Sequence, residues 1–257
     1  MQTLLVSRRH DAVLEVTLNR PAKKNAVNSE MWAELAEVLR HARDDRSVRV
    51  LVLGGAGGAF CSGADLSDTN LGGSDTLSRM RSINEVALLL HHLPKPTIAK
   101  VSGIAAGAGC NLALGCDIII AGDSARFSEI FVRRGLSVDF GGSFLLPRLI
   151  GMHKAKELAF TGEIIDAAGA KEIGLVNRVV SEDELEGVVA ELAARLAEGA
   201  PIAIGLTKAL LNESLSRSME EALEAEALSQ TINGKTTDAR EAISAFLEKR
   251  APYFVGE

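Results

Sequence analysis

The sequence is short of aromatic residues, of positive charge and of uninterrupted apolar runs, and each shortage excludes a class of protein. Phe, Trp and Tyr make up 4% of the 257 residues, so the core must be aliphatic and rich in alanine, which suits close helix packing better than stacking of nucleic-acid bases. The formal net charge of −6 argues against the basic face that nucleic acid requires. No stretch approaches the roughly 20 apolar residues of a membrane span, since the longest candidate is interrupted at Asp117.

Cysteine is also scarce, and its spacing fits neither a disulfide framework nor a zinc site. The sequence has three cysteines, and we expect all three to be small buried thiols in a reducing compartment: Cys61, Cys110 and Cys116. Near the amino terminus, four polar residues come before any apolar stretch that would form a signal-peptide core: Arg8, Arg9, His10 and Asp11. Together these features predict a cytoplasmic protein.

The pattern of the first half predicts an α/β fold, in one large domain or one domain with a small appendage. A helix is expected from Ser29 to Ala42, where apolar residues recur at helical spacing behind the cap candidates Asn28 and Ser29. Short β-like runs alternate with such helical patterns: Thr3–Val6, Val13–Leu18, Val48–Leu53, Thr97–Val101 and Ile118–Ile120. The polar, glycine-rich stretch Leu66–Thr76 is typical of a mobile loop that acts as a flap.

From about Ser181 the chain changes to nearly pure helix, dominated by alanine, leucine and glutamate. The breaks fall at Gly199-Ala200-Pro201 and at Gly234. The predicted helices are Glu184–Glu198, Ile202–Ser214, Ser218–Thr231 and Thr237–Lys249.

Two turns built of small residues are the candidate functional features. Val101–Asp117 passes from a strand-like lead-in through glycine and alanine into an apolar helix, and Gly54–Leu66 follows the apolar strand Val50–Leu53. The first amides of a helix have no partner within the helix, and small residues let a ligand oxygen reach them. One backbone donor from each turn, converging on one oxygen, would form an oxyanion hole. The alternative is that both turns are merely tight strand-to-helix connections.

The chain as a whole resembles the crotonase superfamily, the enoyl-CoA hydratase/isomerase proteins. The shared motifs occur in family order over nearly the full length: Leu18-Asn19-Arg20-Pro21, Asn25-Ala26, Ala59–Leu66, Gly107-Ala108-Gly109, Leu112-Ala113, Cys116-Asp117, Gly141-Gly142-Ser143, Leu146-Pro147-Arg148, Thr161-Gly162, Gly174-Leu175-Val176 and Ala245–Arg250. The resemblance implies a crotonase-like ββα spiral over residues 1–190, carrying the acyl-CoA site. It implies a C-terminal helical extension over residues 191–257, used to form a homotrimer or a dimer of trimers.

In family terms, the two oxyanion-hole donors are the main-chain amides of Ala64 and Ala108. Many relatives have glycine at the second position, but alanine supplies the same amide. Family hydratases also carry two glutamates that activate water, and here those positions hold Asn111 and Phe131. Glu129 lies two residues from the second position, which in an extended segment displaces it by roughly 6.6 Å. Its alternative role is a surface or subunit-interface charge near Arg133 and Arg134.

Asp139 is the remaining candidate base. It precedes the paired glycines Gly141-Gly142, where some crotonase-family isomerases, of the 1,2-epoxyphenylacetyl-CoA isomerase type, place their single catalytic aspartate. An aspartate here would otherwise serve as the cap of a helix that begins near Phe140. One carboxylate is enough to move a proton along an acyl chain, and we expect Val138, Phe140 and Phe131 to raise its pKa by desolvation.

For the remainder of the substrate, the resemblance implies contacts from both turns. Lys24 and Ala26 are expected beside the nucleotide of coenzyme A, although Lys23 and Lys24 equally fit a solvated lysine pair. The residues expected along the pantetheine and acyl chain are Ser62, Ala64, Asp65, Leu66, Gly107, Asn111, Ile130, Phe131 and Phe140. Lys249 is a further candidate, reaching the site from a neighbouring subunit.

No cofactor is expected, because coenzyme A enters as part of the substrate. Gly103, Gly107 and Gly109 lack the spacing of a dinucleotide fingerprint, no P-loop is present, and the histidines are too scattered for a metal site. The sequence therefore predicts a cofactor-independent enzyme that isomerises an enoyl-CoA through Asp139. Three alternatives stay open: hydration through Asp139 or Glu129, hydrolysis or dehalogenation with Asp139 as nucleophile, and a non-catalytic acyl-CoA binder.

Overall fold

The computed structural model describes residues 1–9, 12–68 and 75–257. The predicted Leu66–Thr76 loop therefore lies in part, at residues 69–74, outside the described residues. The strands are β1 Leu4–Arg9, β2 Val13–Leu18, β3 Val50–Gly55, β4 Thr97–Val101, β5 Ile104–Ala106, β6 Ile118–Gly122, β7 Arg126–Ser128, β8 Ile165–Asp166 and β9 Arg178–Val180. The α-helices are α1 Ser29–Asp44, α2 Thr76–His91, α3 Ala108–Leu114, α4 Gly142–Ile150, α5 Met152–Thr161, α6 Ala167–Glu172, α7 Glu182–Ala197, α8 Pro201–Glu213, α9 Met219–Asn233 and α10 Thr237–Glu248.

The strands form two sheets. The larger sheet has the order β1-β2-β3-β4-β6-β9, antiparallel between β1 and β2 and parallel at every other pairing. The smaller sheet has the order β5-β7-β8, parallel between β5 and β7. Strands that alternate with helices and pair in parallel confirm the α/β prediction.

The larger sheet is buried on both faces, which explains why β3 is an unbroken apolar run. Leu51 and Leu53 pack on one face, in the main core with α1 and α3. Val50 and Val52 pack on the other face, against α7. The three cysteines are free and buried, as predicted.

Local signals define α1. The Asn28 side chain accepts a hydrogen bond of 3.0 Å from the Met31 amide, so it caps the helix as expected. Trp32, one turn in, stacks on Phe140 with ring centroids 5.0 Å apart. Helix α1 is thereby connected to the segment that carries Asp139.

The C-terminal helices lie within two residues of their predicted bounds. Unlike α7, the helices α8, α9 and α10 leave many apolar side chains exposed, including Leu211, Leu223, Phe246 and Leu247. Within the described residues, no helix is both long and apolar enough to cross a bilayer.

Candidate active site

The two turns singled out in the sequence are joined directly through their main chains. The Cys61 amide donates to the Ile104 carbonyl oxygen, and the Ala106 amide donates to the Cys61 carbonyl oxygen, both at 2.9 Å. Gly109 makes this approach possible, because a Cβ there would lie 2.5 Å from the Cys61 carbonyl oxygen and 2.6 Å from its Sγ. The segment before Ala64 is thereby held against the start of α3.

The amides of Ala64 and Ala108 lie on the two sides of this junction. A Cβ on Gly63, whose φ is +102°, would be 3.9 Å from the Ala108 nitrogen, so the two turns are in close contact beside Ala64. Val27 fixes the Ala64 segment, since its amide donates to the Gly63 carbonyl (2.8 Å) and its carbonyl accepts from the Asp65 amide (2.9 Å). Neither the Ala64 nor the Ala108 amide has an acceptor among the described residues. Both therefore lack an internal acceptor among these residues, as the donors of an oxyanion hole must.

Asp139 lies half-buried on the turn that precedes α4. Its Oδ1 is fully buried and has no hydrogen-bond partner within the described ranges, and desolvation by burial raises the pKa of the carboxyl to about 6. The alternative role as a helix cap is wrong, because α4 begins at Gly142 with Gly141 as its cap residue and no side-chain capping bond. The carboxylate is thus left without a structural task.

The Asp139 turn is held from both sides. The Asp139 carbonyl oxygen accepts from the Gly142 amide and from Asn111 Nδ2, both at 2.9 Å. Phe140 adopts φ +48°, a conformation that costs a bulky residue of order 1–3 kcal/mol. Its ring is 1% exposed and stacks on Trp32, and this burial offsets the strain.

Asn111, at the first hydratase position, has no exposed surface. It reaches the Asp139 turn because Gly142 has no side chain, since a Cβ there would lie 2.4 Å from Asn111 Nδ2. Ile130 and Phe131 cover Gly107, with side-chain atoms 3.6 and 3.7 Å from where a Cβ would stand. Four of the predicted binding residues, Gly107, Asn111, Ile130 and Phe131, are therefore brought together around the start of α3.

Glu129 is buried inside the protein, so its assignment as a surface or interface charge is wrong. It is 2% exposed, and Asn111 Nδ2 approaches its Oε2 at 3.4 Å. The estimate of its displacement assumed an extended chain, whereas Ile130–Arg134 forms a 3-10 helix. Its Oε1 has no partner among the described residues, and desolvation raises the pKa of Glu129 to about 7.

This burial predicts a pH-dependent stability. In the unfolded chain Glu129 has the ordinary pKa of 4.5, so it ionises more readily there than in the folded protein. The free energy of unfolding is therefore highest below pH 4.5 and falls as the pH rises to about 7. Glutamine does not ionise, so Glu129→Gln removes this loss. Relative to the wild type, we expect the free energy of unfolding of the variant to rise by about 3 kcal/mol between pH 4.5 and pH 7. Urea unfolding at pH 4.5 and pH 8 measures the difference.

Glu191→Gln is the matched control, because Glu191 is exposed on α7 and the change removes one negative charge without altering the interior. If Glu129→Gln and Glu191→Gln show the same dependence on pH, the buried carboxyl does not carry the effect.

A cavity of about 250 Å³ opens beside Ala64 and Asp139. Its wall is mainly apolar and combines the Gly54–Leu66 turn and the segment before α4 with α1 and α2: Val27, Ser29, Trp32, Ala64, Leu66, Asp68, Thr76, Arg79, Met80, Ile83, Leu136, Ser137 and Asp139. Of the predicted site residues it therefore includes Ala64, Leu66 and Asp139. The sequence reasoning missed α2, although Met80 and Ile83 have the helical spacing that would have shown an apolar face.

The remaining predicted binding residues lie around Arg20 and the Gly54–Leu66 turn. Lys24 is exposed with φ +47°, and its carbonyl accepts from the Ser62 amide at 3.0 Å. Ala26 is buried beside them. Asp65 has a structural use instead: hydrogen bonds from Ser67 and from Arg20, the latter at 2.8 Å, lower the pKa of its carboxyl to about 2.

In the described part of the chain, no group of three or more His, Cys, Asp or Glu side chains is placed to bind a metal ion. Lys249 lies exposed at the end of α10 with φ +55°. Its contact from a neighbouring subunit stays a prediction.

Comparison with known proteins agrees with this architecture. The family model described as enoyl-CoA hydratase/isomerase matches residues 8–257. A 1,2-epoxyphenylacetyl-CoA isomerase from Escherichia coli is 40% identical over the whole of both chains. A short-chain-enoyl-CoA hydratase from Clostridium acetobutylicum is 38% identical, over 96% of this chain and 95% of that protein.

The crystal structure of an enoyl-CoA hydratase from Bacillus anthracis superposes with a TM-score of 0.95, at 34% identity and with full coverage of both chains. This likeness confirms the crotonase fold. Relatives of similar identity are named both isomerase and hydratase, so the names alone leave the individual reaction open. The chain belongs to the enoyl-CoA hydratase/isomerase family of enzymes.

Proposed function

We propose that this enzyme moves the double bond of an enoyl-CoA thioester, with Asp139 as its acid and base. The observation that carries the proposal is the half-buried Asp139 carboxyl, whose Oδ1 has no partner among the described residues and which lines the same cavity as Ala64. A carboxyl with a pKa near 6 is largely ionised at neutral pH and is a stronger base than an ordinary aspartate.

The reaction follows from these positions. The thioester oxygen accepts hydrogen bonds from the Ala64 and Ala108 amides, which stabilise the negative charge that develops there. The Asp139 carboxylate removes a proton from the carbon beside the thioester, and the electron pair spreads into a dienolate. The protonated Asp139 then returns the proton two carbons further along the chain. No atom is gained or lost, so the product has the mass of the substrate.

Hydration is the second candidate, since relatives at similar identity are named hydratases. It requires a water molecule that is positioned and activated, a task that two glutamates perform in the hydratases that this chain resembles. Asn111 and Phe131 stand at those positions, and Glu129 is only 2% exposed. The other carboxylate of the cavity wall, Asp68, accepts a hydrogen bond from the Ser29 amide. Since Asp139 is left as the candidate base, isomerisation is the better supported reaction.

The proposal includes the rest of the substrate and the assembly. Lys24, Ala26, Ser62 and Leu66 bind the coenzyme A portion, and no separate cofactor takes part. Residues 191–257 form the contacts of a homotrimer or a dimer of trimers, which the exposed apolar side chains on α8, α9 and α10 support. Free buried cysteines fit a reducing cytoplasm.

Product analysis tests the reaction. With 3-hexenoyl-CoA we expect the 2-enoyl isomer, of unchanged mass, while 2-hexenoyl-CoA gives no product heavier by one water. Liquid chromatography with mass spectrometry distinguishes these outcomes. Accumulation of 3-hydroxyhexanoyl-CoA favours the hydratase, release of free coenzyme A favours the hydrolase, and tight binding without turnover favours the non-catalytic binder.

A further inference from the structure

The cavity wall contains a cation for which the proposed reaction has no use. Arg79 is on α2, and its guanidinium Nε is completely buried without a hydrogen-bond partner in the described part of the chain. A buried donor that lacks an acceptor is costly, because it has lost its water and gained nothing in exchange. Such a group is therefore expected to meet its acceptor when a ligand fills the cavity.

The other charged groups in the wall already have tasks. Asp68 accepts a hydrogen bond of 2.6 Å from the Ser29 amide at the start of α1, where a negative charge is favoured by the helix dipole. Asp139 is the proposed base. Of the described residues that line the cavity, Arg79 alone carries a positive charge.

Arg79 and the proposed reacting groups belong to different elements, since Arg79 is on α2 whereas Ala64 and Asp139 are not. Met80 and Ile83 of α2 and Trp32 of α1 contribute apolar side chains to the same wall, which fits the methylene groups of an acyl chain. Ala64 and Asp139 line the wall where the thioester is proposed to react. The cavity thus combines Ala64 and Asp139 with an apolar lining and a cation from α2.

We propose that Arg79 binds a carboxylate at the far end of the acyl chain, so that the preferred substrates are ω-carboxyacyl-CoA thioesters. This inference rests on the proposed function, because it places the acyl chain in this cavity. A guanidinium forms paired, charge-assisted hydrogen bonds with a carboxylate. A phosphate, with its larger charge, would be opposed by Asp68 and Asp139 in the same wall.

Kinetics with two substrates of equal length test the inference. The pair is 3-hexenoyl-CoA and 3-hexenedioyl-CoA, which differ in having a methyl or a carboxylate at the end of the chain. Arg79→Met is expected to lower kcat/KM for the carboxylated substrate roughly 10- to 100-fold, the effect of a hydrogen bond to a charged group. The same variant should leave kcat/KM for 3-hexenoyl-CoA within about threefold of the wild type. For the carboxylated substrate, the kcat/KM of Arg79→Lys should lie between those of the wild type and Arg79→Met.

Arg81→Met is the matched control, because Arg81 is exposed on the same helix and methionine is as good a helix former as arginine. Arg81→Met should change kcat/KM for neither substrate. Equal losses on both substrates with Arg79→Met would overturn the inference and place Arg79 at the coenzyme A portion or in the stability of α2. An unchanged preference would overturn it as well.

Binding of unreactive ligands separates this inference from the proposed reaction. Adipyl-CoA and hexanoyl-CoA have no double bond, so calorimetry reports their affinities whether or not the enzyme isomerises anything. We expect the wild type to bind adipyl-CoA at least tenfold more tightly, and Arg79→Met to remove that difference. If turnover assays fail but this preference is present, the reaction is wrong and the assignment of Arg79 stands.

Discussion

Asp139→Asn is expected to abolish exchange of the proton on the carbon beside the thioester, while the affinity for acyl-CoA changes little. Asparagine has nearly the same shape but cannot accept a proton near neutral pH. The hydrogen bonds from Gly142 and Asn111 go to the main-chain carbonyl of residue 139, so the substitution keeps them. General base catalysis contributes about 10²- to 10⁴-fold, so the exchange rate should fall by at least that factor. Deuterium incorporation from heavy water, followed by NMR, measures it.

Asp123→Asn is the matched control, since Asp123 is exposed near the end of β6 and is not part of the cavity. It should exchange at the wild-type rate. The wild-type rate should also rise as the pH passes through about 6, because the ionised form of Asp139 is the base. Persistent exchange in Asp139→Asn means that another group removes the proton, and Glu129 is then the first candidate.

Gly109→Ala is expected to disable the oxyanion hole from a position that contacts no substrate. The added Cβ would lie 2.5 Å from the Cys61 carbonyl oxygen and 2.7 Å from the Cys61 Cβ, and the buried main chain cannot yield as a flexible side chain would. The turns Gly54–Leu66 and Val101–Asp117 must therefore separate, which displaces the Ala108 amide from Ala64. Loss of one such donor costs about 2.7–4 kcal/mol, or 10²- to 10³-fold in kcat.

Gly187→Ala controls for the added methyl group. Gly187 lies on the exposed face of α7 and has no atom within 4 Å of a new Cβ, so this variant should keep full activity and gain roughly 0.5–1 kcal/mol of stability. Circular dichroism separates loss of the hole from loss of the fold. A folded Gly109→Ala enzyme with the wild-type kcat would show that contact between the turns does not align the two amides.

The sequence was sufficient where local signals determine the structure. Strands β2 and β4 have the predicted bounds, because each is a short stretch rich in β-branched and apolar residues with turn residues close to its limits. The Asn28 cap and the helices after Ser181 follow equally local rules of capping and periodicity. The resemblance supplied what periodicity alone does not, namely the fold family.

The candidate site was less predictable because its contacts join distant segments. Asn111 reaches the Asp139 turn across 28 positions, and only the absence of a side chain at Gly142 makes room for it. Burial of Glu129 depends on a 3-10 helix that replaces the expected extended segment. Arg79 became significant only when α2 was placed against the cavity. None of these relations leaves a periodic pattern in the sequence.

A crystal structure with an unreactive acyl-CoA analogue tests the central claim most directly. The account predicts that the thioester oxygen lies about 2.7–3.1 Å from both the Ala64 and the Ala108 nitrogens. It also predicts an Asp139 carboxylate oxygen within about 3–3.5 Å of the carbon beside the thioester. A thioester oxygen bound away from the two amides, or an Asp139 carboxylate turned away from that carbon, would contradict the account.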